Sequence, residues 1–507
     1  MYPGTHAATT PDKPAAIMAD TGETVTYAQL EERSVRIARV LHGLGLRRGD
    51  HLAVVAANDL RIFDVYWAAK RSGLYLTMVN SHLTPAEIAY IVEDCGARAL
   101  VVDAALAVAP DLPPLVPQVE HLLSLGRAEG YRPLEELAAR ESPVPLADQP
   151  RGADMLYSSG TTGRPKGILP PLPEEQVDEP GDRQVASTQR VWGAGPEDVY
   201  LSPAPLYHAA PLRTCTAVQA LGGTVVVMRR FDAEEALALI ERYRVTYSQW
   251  VPTMFVRMLK LPEDVRARYD VSSLRLAVHA AAPCPPDVKR RMIEWWGPIV
   301  DEYYSSTELN GMTVVRCADW LRKPGTVGRA VLGVVRICAD DGRELPVGEV
   351  GTVYFERDEL PFRYHNAPEK TRAAQHPHHP TWTTTGDLGR LDEDGFLFLS
   401  DRRTFLIISG GVNIYPQEIE NVLGEHPAVL DAAVIGVPDE EMGESVLAVV
   451  QTVPGRDPDE SLAAELLDHV RSRLARFKTP RRIVFSRTLP RTPTGKLAKG
   501  ELRDLYV

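Results

Sequence analysis

Apolar, strand-like runs alternate with amphipathic, helix-like segments over the first hundred residues of this chain. That alternation restricts the fold more than any other feature. Residues 27–43 repeat at helical spacing, with Leu30, Ser34, Ile37, Ala38 and Leu41 on one face and Glu31, Glu32, Arg33 and Arg36 mostly away from it. Gly43 and Gly45 end the helix, and His51-Leu52-Ala53-Val54-Val55-Ala56 follows as a buried strand. Helix-like 61–72 precedes strand 74–79, and helix-like 85–94 precedes strand 99–102. A later unit runs from strand 223–228 through helix-like 233–243 to strand 245–248. Such a succession requires parallel sheets with crossover helices, so the expected class is α/β.

With 507 residues the chain holds about three domains' worth of material. Its 44% hydrophobic and 24% charged content are those of an ordinary soluble globular protein. A net charge of −12 argues against nucleic acid or a membrane surface as partner, since both call for basic patches. The start, Met1-Tyr2-Pro3-Gly4-Thr5-His6, lacks a basic-then-apolar signal, and no run reaches membrane-spanning length; a cytoplasmic location is expected. Cys95, Cys215, Cys284, Cys317 and Cys338 are scattered and read as reduced thiols.

Two stretches break the alternation. Residues 169–186 are proline-rich and acidic, and read as a mobile surface loop that hangs in solvent rather than covering a site. Near residue 400 the texture changes: helix-like 416–424, strands 432–435 and 446–450, helix-like 459–475 and a basic tail make a small α+β unit. The expected division is a large N-terminal domain over 1–400, a hinge at 401–405 and a mobile C-terminal domain over 406–507.

The segment Ser158-Ser159-Gly160-Thr161-Thr162-Gly163-Arg164-Pro165-Lys166-Gly167 is too polar for a core, and Asp154-Met155-Leu156-Tyr157 leads into it like a strand end. Glycines admit close backbone approach, amides and hydroxyls donate hydrogen bonds, and Lys166 adds positive charge, which together suit a polyphosphate. The spacing is neither that of a Walker loop nor that of a Rossmann fingerprint. A flexible Ser/Gly/Thr linker is the bland alternative.

The loop resembles the phosphate loop of the adenylate-forming (ANL) superfamily, which includes acyl-CoA synthetases, luciferases and the adenylation domains of peptide synthetases. Further segments resemble its motifs in order over residues 24–500. The resemblance implies that Pro205-Leu206-Tyr207-His208-Ala209-Ala210-Pro211 borders the acyl pocket, with His208 in a catalytic role, and that Ala281-Ala282-Pro283 lies along the adenine. In Tyr303-Tyr304-Ser305-Ser306-Thr307-Glu308 it implies that Tyr304 stacks on adenine, Thr307 contacts phosphate and Glu308 holds Mg²⁺. Tyr303 and Ser305 belong to the same nucleotide set, Ser305 standing where the family has glycine. Thr385-Gly386-Asp387 resembles the ribose motif, with Asp387 as acceptor. Asp401-Arg402 and the run 409–420 form the second strong signature; Arg402 would contact nucleotide, and Gly410 and Gly411 would border the pantetheine tunnel. Pro493-Thr494-Gly495-Lys496 resembles the C-terminal catalytic lysine motif.

The resemblance therefore implies an acyl-CoA ligase that uses ATP, Mg²⁺ and coenzyme A, with an acyl-adenylate and AMP along its path. The run 407–420 and Thr246-Tyr247-Ser248-Gln249-Trp250-Val251-Pro252-Thr253-Met254 give it an actinobacterial flavour. Two departures stand out: Thr404 and Phe405 replace the usual charged hinge residues, and the acidic loop follows the phosphate loop directly. An enzyme performing only the second half-reaction, a ligase loading a carrier protein, and a non-catalytic binder remain as alternatives. No acidic residue stands near Trp250 and Ala280–Ala282 to hold an amino group, so a plain acid is expected. Small residues at Ala209, Ala210, Ala280 and Ala281 leave room for a long or bulky apolar one. Expected partners are that acid and CoA, with no nucleic acid and no membrane span, and with a homodimer left open. His376, His378 and His379, broken by two prolines, read as an exposed loop rather than a metal site.

Overall fold

A computed structural model of the chain describes residues 2–158, 165–402, 405–409, 412–439, 442–491 and 497–506. The alternating segments form parallel sheets as expected. In a six-stranded sheet, strand His51–Val55 lies between Tyr75–Val79 and Ala97–Asp103, with Ala153–Asp154 at one edge. A nine-stranded sheet aligns Pro14–Met18, Thr224–Val227, Val199–Ser202, Tyr247–Trp250, Leu276–His279 and Val300–Ser305 in parallel, with antiparallel strands at both edges.

Helix Tyr27–Gly43 starts at a reciprocal capping box between Thr26 and Gln29, which satisfies amides that the first turn would leave bare. It buries Leu30, Ser34, Ile37, Ala38 and Leu41, the face its sequence marks out. Helices Pro85–Asp94 and Ala233–Tyr243 match their sequence readings, each started by a side-chain cap at Thr84 or Asp232. One apolar cluster runs from Val54 and Leu76 of the first sheet through Leu41 and Phe63 to Val225 and Val278 of the second.

Three smaller sheets surround this body. Strand Lys166–Leu169 pairs with Leu156–Ser158 on one side and Arg363–Tyr364 on the other. An antiparallel sheet joins Val334–Cys338, Gly351–Glu356, Asp387–Leu391 and Leu397–Arg402. Residues 407–485 supply a five-stranded sheet, in which Val429–Asp439 and Gly443–Thr452 form a long hairpin and Arg482–Phe485 adds in parallel. Helices Pro416–Gly424 and Glu460–Arg471 pack on it. Among the described residues no helix is long and apolar enough to cross a membrane.

The acidic loop departs from its sequence reading. Buried Arg151 donates to the carbonyls of Gln176, Glu179 and Pro180, the backbone amides of Arg151 and Val177 bond to Glu175 and Gln149, and Tyr75 donates to Pro170 at 2.8 Å. Glu174, Glu175, Asp178 and Glu179 do face water, whereas Asp182 caps helix Arg183–Trp192 and lies 3.5 Å from Lys70 Nζ. The composition signal missed that the backbone carbonyls are taken up by one buried guanidinium. The histidine cluster is exposed only in part. His376 is buried, its Nδ1 accepts the amides of His378 and His379, and its Nε2 lies 2.8 Å from the Gly342 carbonyl, so it closes a turn; His378 and His379 are exposed.

Candidate active site

Residues singled out in the sequence come from three sheets, and side-chain contacts join Tyr304 to Asp387 and Glu308, through Tyr364, to Lys166. Strand Val300–Ser305 ends at Tyr303-Tyr304-Ser305, and the chain turns through Ser306 and Thr307 to Glu308. That turn is braced. Ser305 Oγ donates to the Gly311 carbonyl at 2.7 Å, Ser306 Oγ to Asn310 Oδ1 at 2.9 Å, and Asn310 Nδ2 to the Thr383 carbonyl at 3.2 Å. Leu309 takes a left-handed φ of 50°, an unfavourable conformation for leucine that these bonds hold in place.

Tyr304 donates to Asp387 Oδ2 at 2.6 Å, and Thr385 Oγ1 donates to the same oxygen at 2.8 Å. Two candidate nucleotide residues, about eighty positions apart in sequence, thus share one hydrogen bond. In the ladder between Asp387–Leu391 and Leu397–Arg402, Asp387 stands opposite Arg402. Tyr303 accepts from Gln249 Nε2 at 2.6 Å, and Gln249 Oε1 accepts from Thr214 Oγ1 at 2.9 Å. Burial pushes the Tyr303 phenol up to about 12.

Glu308 and Lys166 meet through a residue that sequence reading did not identify. Tyr364 donates its hydroxyl to Glu308 Oε1 at 2.8 Å, and Lys166 Nζ sits 5.1 Å from the centre of the same ring. Tyr364 lies opposite Ile168, and the His365 amide donates to the Gly167 carbonyl at 2.8 Å, so strand pairing fixes Tyr364 and Lys166 together, and the tyrosine hydroxyl ties Glu308 to them. A two-residue strand has no periodicity to read, which is why the tyrosine escaped notice. Tyr364 uses one Glu308 oxygen and no bond among the described residues is made by the other. A carboxylate with a spare hard oxygen suits Mg²⁺. Among the described residues no group of three His, Cys, Asp or Glu side chains is placed to hold a metal ion.

His208 stands at the N-terminal boundary of helix Ala209–Ala220 in an extended conformation, without a side-chain capping bond, its ring 4.4 Å from that of Tyr207. Asn58 fixes this turn by accepting the Leu206 amide and donating to the Met228 carbonyl. Ala281, Ala282 and Pro283 form the turn after strand Leu276–His279, with Ala281 at φ 77°. Behind that turn Lys289 Nζ lies 2.6 Å from Glu302 Oε2, and desolvation holds neighbouring His279 well below its ordinary range, hence neutral. Thr307 offers its carbonyl to Arg213 at 3.4 Å. Ser159, Gly160, Thr161, Thr162, Gly163, Gly410, Gly411 and Lys496 lie outside the described residues, as do the side chains of Ser158 and Arg402.

Comparison with known proteins accounts for nearly the whole chain. The AMP-binding enzyme family matches residues 4–363, and the AMP-binding enzyme C-terminal domain matches residues 418–496. The long-chain-fatty-acid–CoA ligase FadD13 of Mycobacterium tuberculosis is 32% identical over 512 residues, covering 99% of this chain and 97% of that protein. The fatty acid–[acyl-carrier-protein] ligase ScoC of Streptomyces coeruleorubidus is 33% identical over 515 residues, covering 99% and 95%. ATP-bound MatB from Rhodopseudomonas palustris superposes with a TM-score of 0.85 at 31% identity, covering 100% of this chain and 99% of that one. With the phosphate-loop sequence, the paired Tyr304 and Asp387, and the coupled Glu308 and Lys166, these likenesses make the chain a member of the AMP-binding, adenylate-forming enzymes, and among them an acid–thiol ligase.

Proposed function

We propose that the chain activates a long or bulky apolar carboxylic acid with ATP and passes the acyl group to coenzyme A. The observation that supports this most is the coupling of Glu308, Tyr364 and Lys166 beside the Tyr304–Asp387 pair. In this reading Glu308 would be the oxygen ligand, Lys166 the cation and Asp387 the ribose acceptor, and the two contacts support it by tying these side chains to fixed neighbours.

In the first half-reaction an acid oxygen attacks the α-phosphorus of ATP and pyrophosphate leaves. Asp387 accepts from the ribose hydroxyls and Tyr304 lies on the adenine, with Ala281–Pro283 along its edge and Arg402 at the nucleotide. The phosphate loop, Ser158 to Gly163, with Thr307 and Lys166, holds the triphosphate. Mg²⁺ bound at Glu308 would offset charge on the phosphate oxygens. Lys496 bridges the acid and the α-phosphate at the moment of attack, and His208 borders the acid. Positioning and charge stabilisation suffice for such a displacement. In the second half-reaction the CoA sulfur attacks the acyl carbon, AMP leaves and the thioester forms. Residues 401–405 act as the hinge on which 406–507 turns between the steps, bringing Gly410 and Gly411 to the pantetheine arm.

Likeness to ScoC favours one second reading, transfer to a carrier-protein phosphopantetheine instead of CoA. Mass spectrometry of the thioester product tests both. The full chain is incubated with Mg·ATP, a panel of fatty, aromatic and polycyclic acids, and either CoA or a phosphopantetheinylated carrier. Acyl-CoA from apolar acids is expected. Acyl-carrier product alone would move the acceptor, and turnover of small polar acids only would overturn the substrate class.

A further inference from the structure

We propose that Arg213 is a positioning residue for the first half-reaction, holding Thr307 in register with the strand that feeds the phosphate loop. The inference rests on the function proposed above. Arg213 lies one turn beyond Ala209 and Ala210 in helix Ala209–Ala220 and shares their face. Its Nε lies 3.3 Å from Asp154 Oδ2, and its Nη1 donates to the Thr307 carbonyl at 3.4 Å. Both side chains of the ion pair are largely buried, with 11% of Arg213 and 9% of Asp154 exposed.

Asp154 ends strand Ala153–Asp154 at the edge of the six-stranded sheet, and the chain continues through Met155 into Leu156–Ser158. Thr307 follows strand Val300–Ser305 of the nine-stranded sheet. One guanidinium therefore links the two sheets at points that lead to Ser158 and to Thr307, residues to which the proposed function assigns the phosphates. Its planar fork can address two partners at once, which an ammonium cannot.

Stability alone does not account for the pair. A buried ion pair contributes little over an apolar pair of the same volume, and Asp154 Oδ1 is buried without a hydrogen-bond partner. What an apolar pair would lack is the hydrogen bond to the Thr307 carbonyl, which adds to the braces within the turn a tie to Asp154 and the six-stranded sheet. Displacement by about 1 Å costs up to about a hundredfold in a reaction that depends on alignment. Only the first half-reaction contains a triphosphate to align.

The test compares the two half-reactions in the full chain. Acid-dependent exchange of pyrophosphate into ATP reads the first, and thioester formation from a synthetic acyl-adenylate plus CoA reads the second. R213M should lower the kcat of exchange roughly tenfold or more while leaving thioester formation within about threefold. R213K should restore part of the exchange, since an ammonium reaches one partner. The double variant R213M/D154L should regain the wild-type thermal midpoint yet keep the exchange defect, and it carries the comparison should R213M fail to fold. Equal loss in both half-reactions, or recovery of exchange together with stability in the double variant, would overturn the inference. A wild-type chain inactive in both would instead overturn the function on which it rests.

Discussion

Tyr364 shows how one side chain can set two others. Its hydroxyl holds one Glu308 oxygen at 2.8 Å, which orients the second, while its ring faces Lys166. Tyr364→Phe keeps the ring and removes the donor. Loss of one hydrogen bond to a charged group is worth about 1.5–3 kcal/mol. We expect adenylation to slow by about tenfold or more, with a raised Mg²⁺ requirement; an unchanged Mg²⁺ titration would refute the role. Lys496→Ala should cost about 3–4 kcal/mol in adenylation if that lysine bridges acid and α-phosphate, a figure that single-turnover formation of acyl-adenylate would check. Tyr304 and Asp387 were both legible as motif residues, because their chemistry is tied to a fixed local sequence. Tyr364 and Arg213 were not. Each acts through a partner far away in sequence, Glu308 and Asp154 respectively, and no local pattern records such a pairing.

At the scale of elements, burial decides what composition cannot. The loop 169–186 reads as solvated from its prolines and acids, yet Arg151 binds three of its carbonyls. Arg151→Ala should release it, and limited digestion with a Glu-specific protease should then cut near Glu174, Glu175 or Glu179 well before the rest of the chain. Equal protease resistance in variant and wild type would contradict the pinning. Helix Arg61–Lys70 carries a second hidden feature. Desolvation, opposed mainly by Arg33 at 3.8 Å, raises the buried Asp64 carboxyl to about 8. Because the folded value lies above the ordinary one near 4, the fold favours the protonated acid. That contribution is complete below about pH 4 and lost as pH rises to about 8. Wild-type stability should therefore fall across this window by up to a few kcal/mol relative to Asp64→Asn, as denaturant unfolding at pH 5 and 8.5 would measure. Parallel profiles would show that Asp64 is charged in the fold. The helices themselves were legible from their apolar spacing, as at 27–43, and the structure adds local caps at Thr84 and Asp232, whereas the docking of an irregular loop depends on tertiary contacts.

At the scale of the molecule, the strand-helix alternation announced parallel sheets, and strand His51–Val55 between Tyr75–Val79 and Ala97–Asp103 realises it. The count of sheets and their order were not legible, since nothing in the strand Leu156–Ser158 itself says that it leaves the six-stranded sheet to pair with Lys166–Leu169. That pairing, continued on to Arg363–Tyr364, is what brings Lys166 to the ring of Tyr364. The central claim is that this assembly forms an acyl-adenylate. Exchange of labelled pyrophosphate into ATP tests it most directly, because exchange requires reversible adenylate formation and no acceptor thiol. Exchange that depends on an apolar acid and on Mg²⁺ is the predicted result. No exchange with any acid, while synthetic acyl-adenylates plus CoA still yield thioester, would contradict it and confine the chain to the second half-reaction.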